Sequence, residues 1–123
     1  MAAGQVYQRR INAVIDHVST HIAEELSLET LAGVAHFSAF HFHRIFKAVV
    51  GETLNGFVKR LRLERAIFLM HHNPRMTLTQ IAFSCGFNSS SDFSRSFKKC
   101  HGLTPRAYVK ERRACRLSDK RPS

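Results

Sequence analysis

Residues 81–109 read IAFSCGFNSSSDFSRSFKKCHGLTPRAYV, and residues 31–58 read LAGVAHFSAFHFHRIFKAVVGETLNGFV. Leu31, Ala32 and Phe37 match Ile81, Ala82 and Phe87 at an offset of 50. One inserted residue later, Phe42, Arg44, Phe46, Lys47, Gly51 and Val58 match Phe93, Arg95, Phe97, Lys98, Gly102 and Val109 at an offset of 51. Such self-similarity means that one supersecondary unit occurs twice.

Each copy reads as helix, tight turn, helix. In the second, Thr77 and Gln80 form a capping box that opens a short helix with Leu78, Ile81 and Ala82 inward. Gly86 supplies the left-handed residue that ends it. Ser89 caps the next helix, with Asp92 completing a second box. In that helix Phe93, Phe97 and Cys100 share one face, while Ser91, Ser94, Arg95 and Lys98 share the other. In the first copy Leu28, Leu31, Ala32 and Ala35 line a short helix, and Ser38 caps its successor. Phe42, Phe46 and Val49 then face inward; Phe40, His43, Arg44 and Lys47 face outward. His36 stands where the turn favours glycine, and histidine is among the few other residues that adopt positive φ. A short helix, a turn and a crossing second helix make a helix-turn-helix, whose second helix commonly enters a DNA major groove.

Working outward, Leu54, Phe57, Val58, Leu61, Ala66, Ile67, Leu69 and Met70 give an apolar stripe over 53–72, stopped by Asn73-Pro74. This predicts one connecting helix about 27 Å long. An amphipathic helix over 6–25 carries Ile11, Val14, Ile15, Val18 and Ile22. Thr104 followed by Pro105 opens a last helix, which carries Tyr108 and fades into a basic tail. The expected organisation is 1–52 for the first helix and first helix-turn-helix, 53–73 for the linker helix, 74–113 for the second helix-turn-helix, and 114–123 for a disordered tail or linker.

The 123 residues carry 19 Lys plus Arg against 9 Asp plus Glu, a formal net charge of +10. That excess favours polyanionic partners, of which DNA, RNA and an anionic membrane surface are the candidates. The apolar run AIFLM at 66–70 is far short of the roughly 20 residues a membrane span needs. The opening MAAGQVYQRR shows no secretory signal, and three cysteines form no disulfide framework. Cys85 and Cys100 are expected to be buried thiols in a reducing cytoplasm. His41 and His43 do not share a helical face, and no cysteine lies at ligand spacing, so neither metal nor cofactor is expected. No Ser–His–acid or paired-carboxylate arrangement suggests an enzyme. Arg60, Arg62 and Arg65 are expected on a solvated face.

The two stretches together resemble the AraC/XylS family of bacterial transcription regulators, over about 7–112. FSAFHFHRIFKAVVGETLNGFV is similar to that family's first helix-turn-helix, and IAFSCGFNSSSDFSRSFKKCHGLTPRAY to its C-terminal signature. The resemblance implies an all-α fold: seven helices, with two helix-turn-helix subdomains joined by a long central helix. It implies double-stranded DNA as partner, with two recognition helices in successive major grooves roughly 34 Å apart. By resemblance the base-contacting positions are Phe40, His43 and Arg44, then Ser90, Ser91, Ser94 and Arg95. Arg44 and Arg95 suit guanine edges or groove-lining phosphates through the planar guanidinium fork, and Phe40 suits thymine methyl groups or sugars. Lys47, Lys98 and Lys99 are expected on phosphates, as are the helix N-termini at Thr53 and Thr104. The serines imply close, permissive or water-mediated contacts. Asp92 is a cap, with a cytosine amino group as its alternative partner. Family members commonly activate by recruiting RNA polymerase and often carry a separate effector-binding domain, here absent from the chain. The isolated module is expected to be a monomer. The alternative is an architectural, non-specific cationic binder of nucleic acid, which needs no pair of matched reading faces.

Overall fold

In the computed structural model, residues 3–119 are described, with side chains for 5–112. They form seven α-helices: α1 (Ala3–Thr20), α2 (Leu28–Ala35), α3 (Ala39–Val50), α4 (Leu54–His72), α5 (Leu78–Ser84), α6 (Ser90–His101) and α7 (Pro105–Asp119). No strand occurs among the described residues. The chain divides into two compact units inside α4, between Arg62 and Leu63.

The repeat is visible in the backbone. At the end of α2, the Phe37 N–H donates to the Ala32 carbonyl (3.0 Å) and the His36 N–H to that of Gly33 (3.1 Å). At the end of α5, Phe87 donates to Ala82 (3.0 Å) and Gly86 to Phe83 (3.1 Å). Both are Schellman caps, which require a left-handed residue just beyond the helix. His36 has φ 59° and Gly86 has φ 95°. Side-chain caps open the helices in the same way. Ser27, which the sequence reading did not single out, accepts from the Thr30 N–H, Ser38 from that of His41, and Ser89 from that of Asp92. Thr77 and Gln80 form the complete reciprocal box, whereas at Ser89 the structure forms its forward half. Satisfying these otherwise orphaned N–H groups contributes about 1 kcal/mol each.

The left-handed histidine yields a prediction. A side chain in this conformation costs roughly 1–2 kcal/mol, partly offset by the greater unfolded-state freedom of glycine. His36→Gly should therefore stabilise the first unit by about 0.5–1 kcal/mol, read as a higher urea midpoint at unchanged slope. His36 is exposed, so little packing is lost.

The first unit is built on Ile11, Val14 and Val18 of α1, Leu31, Ala32 and Ala35 of α2, Phe42 and Phe46 of α3, and the first turns of α4. Phe46 meets Phe57 edge to face at 5.4 Å. The second unit is built on the remainder of α4 with Ile81, Ala82, Cys85, Phe87, Phe93 and Phe97. Phe97 lies edge to face with both Phe93 (5.9 Å) and Tyr108 (5.5 Å). In each unit the phenylalanines of the repeat hold the second helix of the motif against the first.

Several expectations are corrected. Helix α1 ends at Thr20 rather than near Glu25. The Thr20 hydroxyl donates back to the Asp16 and His17 carbonyls (3.0 and 3.1 Å), a bond that competes with helix continuation. The α4 positions do not act as one stripe. Leu54, Phe57 and Val58 enter the first core, whereas Leu63, Ala66 and Leu69 enter the second; Leu63 lies outside the expected stripe. Cys85 is buried but Cys100 is exposed. The last turn of α6 runs past the edge of the core, and the His101 ring, 4.6 Å from Phe97, lies there instead. Ser96 is the buried third residue of that face. Val49, likewise in a last turn, is 37 % exposed. Arg62 is not a solvated bystander: it donates to the carbonyls of Ile22 (3.1 Å) and Glu24 (2.9 Å), fastening the segment after α1. Arg60 makes a forked ion pair with Glu52, with Nη2 and Nε 2.7 and 3.1 Å from Oε1.

Candidate nucleic-acid interface

Helix α3 presents Phe40, His43, Arg44 and Lys47 to solvent, all exposed. Their spacing of three, one and three puts them on one helical face, opposite the buried Phe42 and Phe46. Phe40 is 70 % exposed, more than Phe83 at 54 % or Phe68 at 49 %. The Arg44 guanidinium carbon lies 5.8 Å from the Phe40 ring centroid, within cation–π range. Ring and guanidinium thus lie side by side on the exposed face of α3.

Helix α6 presents the equivalent face. Ser91, Arg95, Lys98 and Lys99 are exposed, and Ser90 and Ser94 are half-buried. Among the described residues, Arg44, Lys47, Arg95 and Lys98 form no ion pair. Among the described residues their charge meets no acidic partner, and a polyanion that approaches either face meets it directly. The Ser90 hydroxyl donates to Thr79 Oγ1 (3.1 Å), tying the start of α6 to α5. Ser90 and Ser94 also border a shallow groove of about 330 Å³ with Thr79, Thr104 and Arg106. Asp92 is half-buried, and its N–H serves the Ser89 cap.

The two candidate helix N-termini differ. Thr53 accepts from the Gly56 N–H (3.1 Å), which leaves the Leu54 and Asn55 N–H groups without an intrahelical acceptor. Thr104 accepts from the Ala107 N–H (3.2 Å). Pro105 has no N–H to offer, so α7 retains only that of Arg106. The first site can therefore present one more backbone donor than the second.

Among solved structures, a transcriptional regulator from Chromobacterium violaceum with AraC-type DNA-binding domains shares the fold at TM-score 0.78 and 28% identity, over 90% of this chain and 96% of that one. A helix-turn-helix domain family profile matches residues 31–111, both copies of the repeat. The chain belongs to the AraC-type helix-turn-helix family. Another AraC-type relative in structure is the DNA-binding domain of AdpA, solved in complex with a target DNA. It superposes at TM-score 0.82 with 27% identity, over 88% of this chain and 96% of that domain. In sequence, the transcriptional activator RhaS of Escherichia fergusonii is 38% identical over 97 residues, which cover 79% of this chain and 34% of RhaS. The regulator YbfP of Bacillus subtilis is 32% identical over 102 residues, again 34% of its length. This AraC-type chain thus spans about a third of the curated relatives it matches.

Within the AraC-type frame, Thr79 and Arg106 were not anticipated as neighbours of the α6 face. Each is an ordinary polar position on an amphipathic helix, and only the packing of α5 and α7 against α6 brings them beside Ser90 and Ser94.

Proposed function

We propose that this chain is the sequence-specific DNA-binding module of a transcription regulator. Helices α3 and α6 enter successive major grooves of the duplex. The observation that carries this reading is the occurrence, at equivalent positions of a structural repeat, of two solvent-facing arginines, each flanked by a lysine one turn on and neither engaged in an ion pair among the described residues. Arg44 and Arg95 read base edges, because the guanidinium fork matches the paired acceptors of guanine. Phe40 and His43 complete the first reading face, with Phe40 against thymine methyl groups or sugars. Ser90, Ser91 and Ser94 form the second. Their short hydroxyls permit close approach, and two of them are recessed toward the groove beside Thr79, so α6 reads less strictly than α3. Lys47, Lys98 and Lys99 and the N-terminal turns at Thr53 and Thr104 hold phosphates and set register.

The relatives named as activators support activation, with RNA polymerase as a further partner and an effector-binding domain elsewhere in a longer protein. The isolated module binds as a monomer. No helix among the described residues is long and apolar enough to cross a membrane, and the module acts in the cytoplasm, where its DNA is. The reaction of binding is non-covalent; no enzymatic step is assigned.

Competition at fixed salt tests the proposal. A specific module prefers its own site over random duplex by roughly 10³-fold or more. Equal competition by both DNAs would instead identify an architectural cationic binder. Lys98→Ala is expected to weaken both kinds of binding evenly. It should also reduce the slope of log affinity against log salt by about one, as measured by fluorescence anisotropy across a salt series.

A further inference from the structure

Within the second unit, an open cavity of about 530 Å³ lies between the end of α4, the start of α5 and α7. Its volume falls in the range of small-molecule sites. Met70, Met76, Leu78 and Val109 on its wall are all only partly buried, so apolar surface in contact with the hollow is left uncovered. Filling it with an apolar body would remove that surface from water. Two of these residues are methionines, which adapt to irregular shapes and pack well against aromatic rings. Tyr108 adds a ring to the wall, and its hydroxyl is held 3.0 Å from His71 Nε2, which fixes that ring in place. The polar margin is cationic: Arg106 and Lys110 stand one turn apart on α7, Arg112 also lines the cavity, and no carboxylate lines it among the described residues.

We infer that this cavity binds a small aromatic carboxylate, with its ring system among Met70, Met76 and Tyr108 and its anionic head at Arg106 and Lys110. Arg106 borders both the cavity and the groove beside Ser90 and Ser94. Occupancy therefore draws on a residue next to the α6 face and alters DNA affinity. This second consequence alone rests on the DNA-binding reading.

The test uses 1-naphthaleneacetate against its neutral analogue 2-(1-naphthyl)ethanol, with binding followed by calorimetry on the 123-residue chain. The chain contains no tryptophan, so naphthalene fluorescence provides a clean second readout. Saturable one-to-one binding of the acid is expected, at least tenfold tighter than the alcohol. Lys110→Glu, at an exposed position, should remove that preference while leaving the alcohol unchanged, and Met76→Trp should block both by filling the cavity. No saturable binding of the acid, or equal binding of acid and alcohol unaffected by Lys110→Glu, would overturn the site. If the acid binds as expected but the chain shows no specific DNA, the regulator reading fails and the site stands. If the chain has a specific DNA whose affinity is the same with and without bound acid, the coupling through Arg106 is refuted.

Discussion

Arg44→Ala and Arg95→Ala are each expected to cost about 1–3 kcal/mol on the specific site, roughly 5- to 150-fold in affinity, and to relax base preference at one position apiece. The loss on random duplex should be far smaller, because a single phosphate-range charge contributes evenly to all sequences. The two substitutions need not be equal. Arg44 is steadied by the Phe40 ring at 5.8 Å, whereas Arg95 projects from a face of short serine hydroxyls. Arg44→Ala also leaves an exposed phenylalanine without its cationic partner. We therefore expect the larger loss of specificity at Arg44. Titration of each variant against the selected site and against random duplex, at one salt concentration, gives the answer. Equal losses on both DNAs would assign the arginines to phosphate and remove them from base reading.

Phe97→Ala is expected to have the largest effect on stability. Its ring is fully buried and packs on Phe93 and Tyr108, so truncation removes transfer energy and leaves a cavity, about 3–5 kcal/mol in all. A unit of this size buries too little surface to absorb that loss. Helices α5 to α7 should lose protection from hydrogen exchange. Phe83, in the same unit but 54 % exposed, is the comparator. Phe83→Ala should stay within roughly 0.5 kcal/mol. Similar urea midpoints for the two variants would contradict the assigned core.

Much of the architecture was legible because the chain states it twice. A histidine at position 36 is weak evidence for a turn when read alone. Set beside Gly86 it becomes a position that needs positive φ, and both backbones show it. The phenylalanines at 42, 46, 93 and 97 were legible for the same reason: helical spacing confirmed by a second copy. What the pattern missed lies where periodicity loses meaning. Cys100 and Val49 keep the apolar phase, but each occupies a last turn, beyond the core's edge. Leu63 interrupts the stripe assumed for α4, because that helix serves two cores and its apolar positions follow two sets of neighbours. Arg62 has no local signal at all: its acceptors are backbone carbonyls at Ile22 and Glu24, and only tertiary packing brings them within reach. The exposed faces of α3 and α6 were legible as the complement of the core. The recessed setting of Ser90 and Ser94 was not, since it depends on Thr79 of α5, Arg106 of α7 and the Thr104 cap before α7.

Selection of bound sequences from a pool of random duplex DNA tests the central claim most directly. Two faces that read DNA together should enrich two short elements whose centres lie about 10–10.5 base pairs apart, one turn of the helix. The element lost in Arg44→Ala should differ from the one lost in Arg95→Ala. Enrichment of a single element, or of none, would contradict it.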